Sequence, residues 1–351
     1  MKTIVKKINE ENMEAGCLQE AVSILQRKGL VAIPTETVYG LGGDALDAEA
    51  SKKIYEAKGR PSDNPLIVHI AEVDSLGELT KEVPEKAYKL AEAFWPGPLT
   101  MIMQKSDNVP YGTTGGLNTV AIRMPSNKIA LELIRESGVY IAAPSANTSG
   151  RPSPTKAEHV IEDLSGKIDM IIDGGAVGIG LESTIVDLTG EVPMILRPGF
   201  ITKQMLEDVI GQVEVDKAII AKSVDPSLKP KAPGMKYKHY APKAELTIVE
   251  GAEQAVVDKI NACAKQKMEA GYQVGVIATD ETFARYEASI VKTIGSRYDE
   301  EQIARGLYAI LREFDEQQVD VIYSEGFAES NLGQAIMNRL LKAAGYHVIE
   351  V

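Results

Sequence analysis

The stretch DAEASKKIYEAKGRPSDNPLIVHI, residues 47–70, holds the plan of the fold in miniature. Residues 47–57 predict a helix, and the apolar run Leu66-Ile67-Val68-His69-Ile70 predicts a buried strand. Between them, Lys58-Gly59-Arg60-Pro61-Ser62-Asp63-Asn64-Pro65 sets two cations two residues apart in a loop stiffened by two prolines. Helix, rich loop and strand are the units of an α/β architecture.

The same alternation extends outward. A helix over 14–28 leads through Gly29 into a strand at 30–33, and further helices are expected at 84–93, 127–136 and 202–211. Strands fit 99–104, 119–123, 169–172, 184–188 and 194–197. The loops between them are dense in Gly, Pro, Ser, Thr and Asn: PTETVYGLGGDA (34–45), WPGPLT (95–100), APSANTSGRPSPT (143–155), DGGAVGIGLEST (173–184) and LRPG (196–199). Loops of this kind, hung on a regular scaffold, are where sites sit.

The last hundred residues alternate more plainly. Strand-like runs at 246–250, 274–278, 290–294, 319–323 and 346–350 are separated by helical patterns at 252–269, 299–314 and 332–343. This predicts a small Rossmann-like parallel sheet with covering helices. It has neither a GxGxxG nor a Walker A sequence, so it reads as a regulatory or closing domain.

The chain of 351 residues has 38 basic and 50 acidic side chains, a net charge of −12. An acidic chain repels phosphate unless its positive charge is concentrated, which argues against a nucleic-acid coat protein. The charge is unevenly spread: residues 221–245 hold six lysines against Asp225 and Glu245, net +4, together with Pro226, Pro230, Pro233 and Pro242. This segment reads as an extended, stiff linker. The expected organisation is a loop-rich α/β domain over 1–215, a basic Pro-rich linker over 216–245, and a small α/β domain over 246–351. Two distant cysteines, Cys17 and Cys263, form neither a disulfide framework nor a Cys-based zinc site, and there is no HExxH. No run approaches the ~20 apolar residues of a membrane helix. The N-terminus has no stretch suited to a signal peptide, so a cytoplasmic protein without membrane contact is expected.

Several motifs admit more than one reading. Gly40-Leu41-Gly42-Gly43-Asp44-Ala45 has the spacing of a dinucleotide fingerprint. That reading needs a strand ending at the first glycine and an acid after the next strand; Pro34-Thr35-Glu36-Thr37 and Lys58-Gly59-Arg60 stand there instead. The Lys58/Arg60 pair suits a polyphosphate, Arg as a bidentate fork and Lys as a point charge, although an isolated KxR is also a common surface turn. Residues 142–153 serve equally as a ligand loop or as an Asx/ST turn capping a helix that starts near Thr155. Arg123 and Arg197 end short apolar strands, where each can meet a carboxylate or phosphate, or form a surface ion pair. His69 reads as a hydrogen-bonded core histidine.

Together, PTETVYGLG, KGRPSDNPLIVHI, WPGPLT, VAIRMP, APSANTSGRPSPT, GLESTIVDL and ILRPG, in this order, resemble the YrdC-type domain family of threonylcarbamoyl-adenylate synthases. KAPGMKYKHYAPKAEL and the α/β tail resemble that family's long form. The resemblance implies a YrdC-like twisted α/β sheet with a large concave basic cavity, followed by the parallel α/β domain. It also implies a reaction in which L-threonine, bicarbonate and ATP give threonylcarbamoyl-AMP and pyrophosphate for N6-threonylcarbamoyladenosine in tRNA.

By position the resemblance carries catalytic roles to Lys58, Arg60, Ser145 and Asn147. It carries ATP binding to Arg60, Asn64, Thr119, Ser145, Ser153, Arg197 and Tyr240, and L-threonine binding to Thr37, His69, Arg123, Ala143 and Ser183. Mg2+ would be held mainly through the ATP phosphates, and a downstream tRNA threonylcarbamoyl-transfer machinery would take the product. The rival expectation is an RNA-binding module of the YrdC type without adenylate synthesis, making a weak, salt-sensitive RNA contact.

Overall fold

A computed structural model of the chain describes residues 2–220, 232–233, 239–328 and 332–351. By contact it divides into two compact units: Met1–Ser149 with Ser153–Lys236, and Gly150–Pro152 with Tyr237–Val351. Most of the expected linker, 221–231 and 234–238, lies outside the described residues.

The first unit is built on an eleven-stranded mixed sheet. Its strands are β1 (Ile4–Lys7), β2 (Val31–Ile33), β3 (Gly40–Asp44), β4 (Ile67–His69), β5 (Leu99–Gln104), β6 (Thr119–Arg123), β7 (Ile141–Ala143), β8 (Met170–Asp173), β9 (Thr184–Asp187), β10 (Met194–Arg197) and β11 (Glu214–Val215). They run in the order β1-β8-β2-β3-β7-β4-β6-β5-β9-β10-β11. The glycine-rich stretch at 40–44 is itself a strand, paired antiparallel to β2, and not a phosphate-binding turn. That removes the structural context a dinucleotide fingerprint requires.

Alternation along the strands divides the faces. On one face Val68, Met101, Met103, Val120, Ile122 and Ala142 join the main core, which the helix Glu85–Phe94 helps to cover. On the other, the β2, β7 and β8 residues Val31, Ile33, Ile141, Ala143, Met170 and Ile172 pack with the helices Gln19–Gln26 and Lys128–Ser137. Farther along this second face, Ile67, Ala121, Ile102, Ile185 and Leu196 form a smaller apolar patch, and Ala232 is buried among them. These are the residues two positions from His69, Arg123 and Thr100 on β4, β6 and β5, so apolar patch and polar groups share one face.

Sequence signals account for the local geometry. The helix Ala48–Lys58 starts on Asp47, whose carboxylate accepts from Ala50 N, and stops at Gly59 with φ 61°. Only glycine takes that left-handed conformation without cost. The turn therefore puts Lys58 on the last helical residue and Arg60 just beyond it.

The second unit carries five parallel strands: β12 (Glu245–Glu250), β13 (Val274–Ala278), β14 (Ile290–Thr293), β15 (Val321–Glu325) and β16 (Val348–Glu350), in the order β14-β13-β15-β12-β16. The helix Glu253–Glu269 packs Val256, Val257 and Ile260 onto one face, while Phe314 of the helix Glu300–Glu316 covers Gly275 on the other. Among the described residues, no helix is long and apolar enough to cross a membrane.

Candidate active site

The site face is organised by strand register. His69 on β4 pairs with Arg123 on β6, Arg123 with Thr100 on β5, Thr100 with Ile185 on β9, and Ile185 with Arg197 on β10. One row across five strands thus presents an imidazole, two guanidiniums and a hydroxyl to the same side. Ala143 pairs with Ile67, one step along on the same face. Thr119, four residues before Arg123 on β6, also lies on it, at roughly 13 Å along a strand.

Arg123 is the hub of one end. It is 4% exposed, its Nη1 donates to Thr37 Oγ1 at 2.8 Å, and its Nη2 lies 2.6 Å from Glu36 Oε1. Its Nε donates to Gly97 O at 3.3 Å. Thr37 is set by Thr35, whose hydroxyl donates to Val38 O at 2.6 Å and accepts from Thr37 N at 3.2 Å. This is an ST-type turn built into the PTET motif. His69 is buried, with Nδ1 3.1 Å from Ile67 O. Burial, reinforced by the Arg123 charge, lowers its pKa to about 3, so the imidazole stays neutral.

Arg197 marks the other end of the row. Its Nε donates to Ser183 O at 3.0 Å and its Nη2 to Ser183 Oγ at 3.1 Å, while Ser183 Oγ sits 2.7 Å from Thr100 Oγ1. Ser153 Oγ donates to Glu182 Oε1 at 2.6 Å, both side chains buried. Gly199 of the LRPG motif is needed for close approach: a Cβ there would stand 2.5 Å from Thr184 N and 2.8 Å from Glu182 O. The two motifs pack backbone to backbone, which holds Glu182 and Ser183 in place.

The KxR and SxN motifs meet directly. The Lys58 ammonium, 1% exposed, donates to Asn147 O at 2.5 Å and also to Ser145 O. Ser145 Oγ donates to Asn147 Oδ1 at 2.6 Å, and Asn147 Nδ2 to Thr148 O at 2.9 Å. Arg60 turns back on its own loop, with Nε donating to Asn64 O at 3.2 Å and Nη2 to Pro65 O at 3.1 Å. Asn64 is 2% exposed and its Oδ1 has no hydrogen-bond partner, a buried acceptor of the kind that native structures rarely leave open.

The remaining residue, Tyr240, lies in the second unit, where its ring stacks on Tyr308 at 5.2 Å and takes a φ of 64°. There Arg312 Nη2 donates to Pro152 O at 2.6 Å and Ala241 N to Gly150 O at 2.9 Å. Sequence reading passed over Glu36, Glu182 and Thr100. Their signal was present in the motifs PTET, GLEST and WPGPLT, where an acid or a hydroxyl stands in an apolar or glycine-rich loop.

Comparison with known proteins identifies the family. A family model described as telomere recombination, covering Sua5, YciO and YrdC, matches residues 23–199. A second, described as threonylcarbamoyl-AMP synthase, C-terminal domain, matches residues 201–345. The chain is 53% identical over 333 residues to threonylcarbamoyl-AMP synthase of Bacillus subtilis, covering 95% of this chain and 94% of that one. It is 51% identical over 349 residues to the Pyrococcus abyssi protein of the same name, covering 99% and 100%. The crystal structure of Pyrococcus abyssi Sua5 complexed with L-threonine superposes with a TM-score of 0.93 at 51% identity, over 99% of this chain and 100% of that one. With both domain models matched in order and full-length relatives at this identity, the chain belongs to the Sua5/YciO/YrdC family, in the form that carries the C-terminal Sua5 domain.

Proposed function

We propose that this chain is an L-threonylcarbamoyladenylate synthase, joining L-threonine, bicarbonate and ATP into threonylcarbamoyl-AMP and pyrophosphate for tRNA modification. The observation that carries the site assignment is the polar row on one sheet face, with Arg123, Thr37 and His69 at one end and Thr119 roughly 13 Å away. That spacing accommodates an amino acid end to end with a nucleotide.

The threonine carboxylate is assigned to Arg123, whose guanidinium can hold a second carboxylate beside Glu36. Thr37, Ala143, Ser183 and the neutral His69 shape the rest of its pocket. The ammonium first gives up a proton to solvent, and the neutral amine then attacks the carbon of bicarbonate, with water leaving as the carbamate forms, or that of CO2, with a second amine proton passing to solvent. A carbamate oxygen then bonds to the α-phosphorus while the bond to the β-phosphate oxygen breaks, releasing pyrophosphate. Charge develops on phosphate oxygens, so positioning and cationic stabilisation dominate.

Arg60, Asn64, Thr119, Ser145, Ser153 and Arg197 are assigned to ATP. Asn147 and Lys58 act on Ser145: the Lys58 ammonium on the loop carbonyls makes it the positioning residue of the SxN loop. Mg2+ enters with ATP. Among the described residues no cluster of three His, Cys, Asp or Glu could hold it, and Glu182 stands as a single carboxylate beside Ser153. When bound, Mg2+ would take most of its ligands from the phosphates and water, as it usually does.

The test is pyrophosphate release from ATP with and without L-threonine and bicarbonate. Release that requires both, and falls at least a hundredfold in R60A, is expected. Release independent of threonine would overturn the proposal.

A further inference from the structure

One buried tyrosine ties three of the site's motifs together. Tyr39, the residue before β3 in the PTETVYG motif, is fully buried. Its hydroxyl donates to Gly175 O at 2.6 Å and accepts from Gly174 N at 3.1 Å. Burial pushes its pKa up, so the hydroxyl stays protonated and remains a donor. Its main chain reaches elsewhere: Tyr39 N donates to Pro154 O at 2.9 Å, and Tyr39 O accepts from Ala146 N at 2.8 Å.

The loop that the hydroxyl grips lies along the turn that carries Thr37. Leaving β8 at Asp173, it lays Gly174 on the Pro34 ring, where a Cβ would stand 2.7 Å from Pro34 Cγ. It sinks Val177 into the main core, with Val177 N donating to Thr155 O at 3.0 Å. Then Ile179 N donates to Glu36 O at 2.9 Å and Gly180 N to Thr37 O at 3.1 Å. Three residues farther on stands Ser183. Residues 174–180 therefore hold Glu36 and Thr37 by their carbonyls, while Arg123 holds the Thr37 hydroxyl. A binding group keeps its geometry only as well as the residues behind it are fixed, and small displacements are costly.

Side chain and main chain of Tyr39 thus serve different ends of the site. The main-chain bonds reach Ala146, between Ser145 and Asn147, and Pro154, next to Ser153, and both survive a change of side chain. The hydroxyl alone reaches the loop on Glu36 and Thr37. We propose that Tyr39 is a positioning residue for L-threonine, its hydroxyl pinning residues 174–180 against the Glu36–Thr37 turn. This role rests on the assignment of Thr37 and Arg123 to threonine.

The test is Y39F in the full-length chain, which keeps the ring in the core and removes only the bridge to Gly174 and Gly175. L-threonine is titrated calorimetrically, and pyrophosphate release is followed with each substrate varied. Kd and KM for L-threonine should rise at least threefold, with KM for ATP within twofold of wild type. A general structural role would instead raise both KM values together as Tm falls. Should Y39F fail to fold, V177A frees the same loop at its core anchor and carries the same comparison. A threonine Kd raised less than threefold, or a KM for ATP raised as much as that for threonine, would overturn the inference. Wild type that binds no L-threonine would overturn the assignment of Thr37 and Arg123, and this role with it.

Discussion

Glu36 Oε1 stands 2.6 Å from Arg123 Nη2, with both side chains withdrawn from solvent. The cation assigned to the threonine carboxylate is therefore already neutralised by a neighbour one residue from Thr37. A zwitterionic substrate resolves this arrangement if its carboxylate joins Arg123 while its ammonium meets Glu36. On that basis E36Q should raise KM for L-threonine about tenfold and leave KM for ATP unchanged, since a hydrogen bond to a charged group contributes about 1.5–3 kcal/mol. R123A should do more, abolishing threonine-dependent turnover and lowering Tm, because it strands the Glu36 carboxylate. Steady-state kinetics with each substrate varied decides the matter; a lower threonine KM in E36Q would make Glu36 a competitor of the substrate.

Lys58 illustrates a different dependence. Its ammonium lies on the carbonyls of Ser145 and Asn147, so K58M removes the tie between the KxR helix and the SxN loop. Two buried carbonyls would lose a charged donor, a loss of about 2–3 kcal/mol in stability. We expect KM for ATP to rise at least tenfold in K58M while KM for threonine moves less than threefold, read from pyrophosphate release. Equal rises in both would place Lys58 in a general structural role.

The α/β alternation, the parallel sheet of the second unit and most strands were legible in the sequence, because apolar runs bounded by Gly and Pro carry their own period. β3 was not: Gly40-Leu41-Gly42-Gly43 has the composition of a phosphate loop, and only its pairing with Val31–Ile33 makes it a strand. β1 and β7 were missed for a related reason, being runs of four and three residues too short to show a period. In the site, the cations could be read from strand ends, but their partners could not. Glu36, Glu182 and Thr100 matter only through contacts spanning 29 to 87 residues, and local pattern is silent about those.

Two glycines in the motifs should respond very differently to alanine. Gly59 has φ 61° but open space where a Cβ would go, so G59A should cost only about 1–2 kcal/mol of backbone strain. At Gly199 a Cβ would stand 2.5 Å from Thr184 N, and backbone there cannot yield without moving Glu182 and Ser183. G199A should therefore lower activity at least a hundredfold, against less than tenfold for G59A. Activity and Tm measured on both separate the two cases.

His69 makes stability depend on pH in a defined direction. Its folded pKa, near 3, lies below the ordinary value of 6.5, so between these limits the unfolded chain binds the extra proton and stability falls as pH falls. From pH 6.5 to 5 this contributes a loss of about 2 kcal/mol. H69Q, which cannot titrate, should lose less stability than wild type over that interval in urea unfolding. Parallel curves for the two proteins would show that His69 is not held neutral.

Ala232 offers the sharpest test of the apolar patch beside the polar row. It is fully buried among Ile67, Ala121, Ile102, Ile185 and Leu196, on the same sheet face as Arg123 and Thr119. Ala232 covers apolar surface on the face where a labile carbamate and a reactive adenylate would form, and excluding water protects such intermediates. A232D places a carboxylate in an apolar patch, where an unpaired charge is too costly to remain, so residue 232 should leave the patch and open it to water. Pyrophosphate release should persist, but the yield of intact threonylcarbamoyl-AMP per pyrophosphate should fall at least threefold as AMP accumulates. A232S, nearly the same size and uncharged, should stay within twofold of wild type. An unchanged product-to-pyrophosphate ratio in A232D, with Tm preserved, would show that covering this patch does not protect the intermediate.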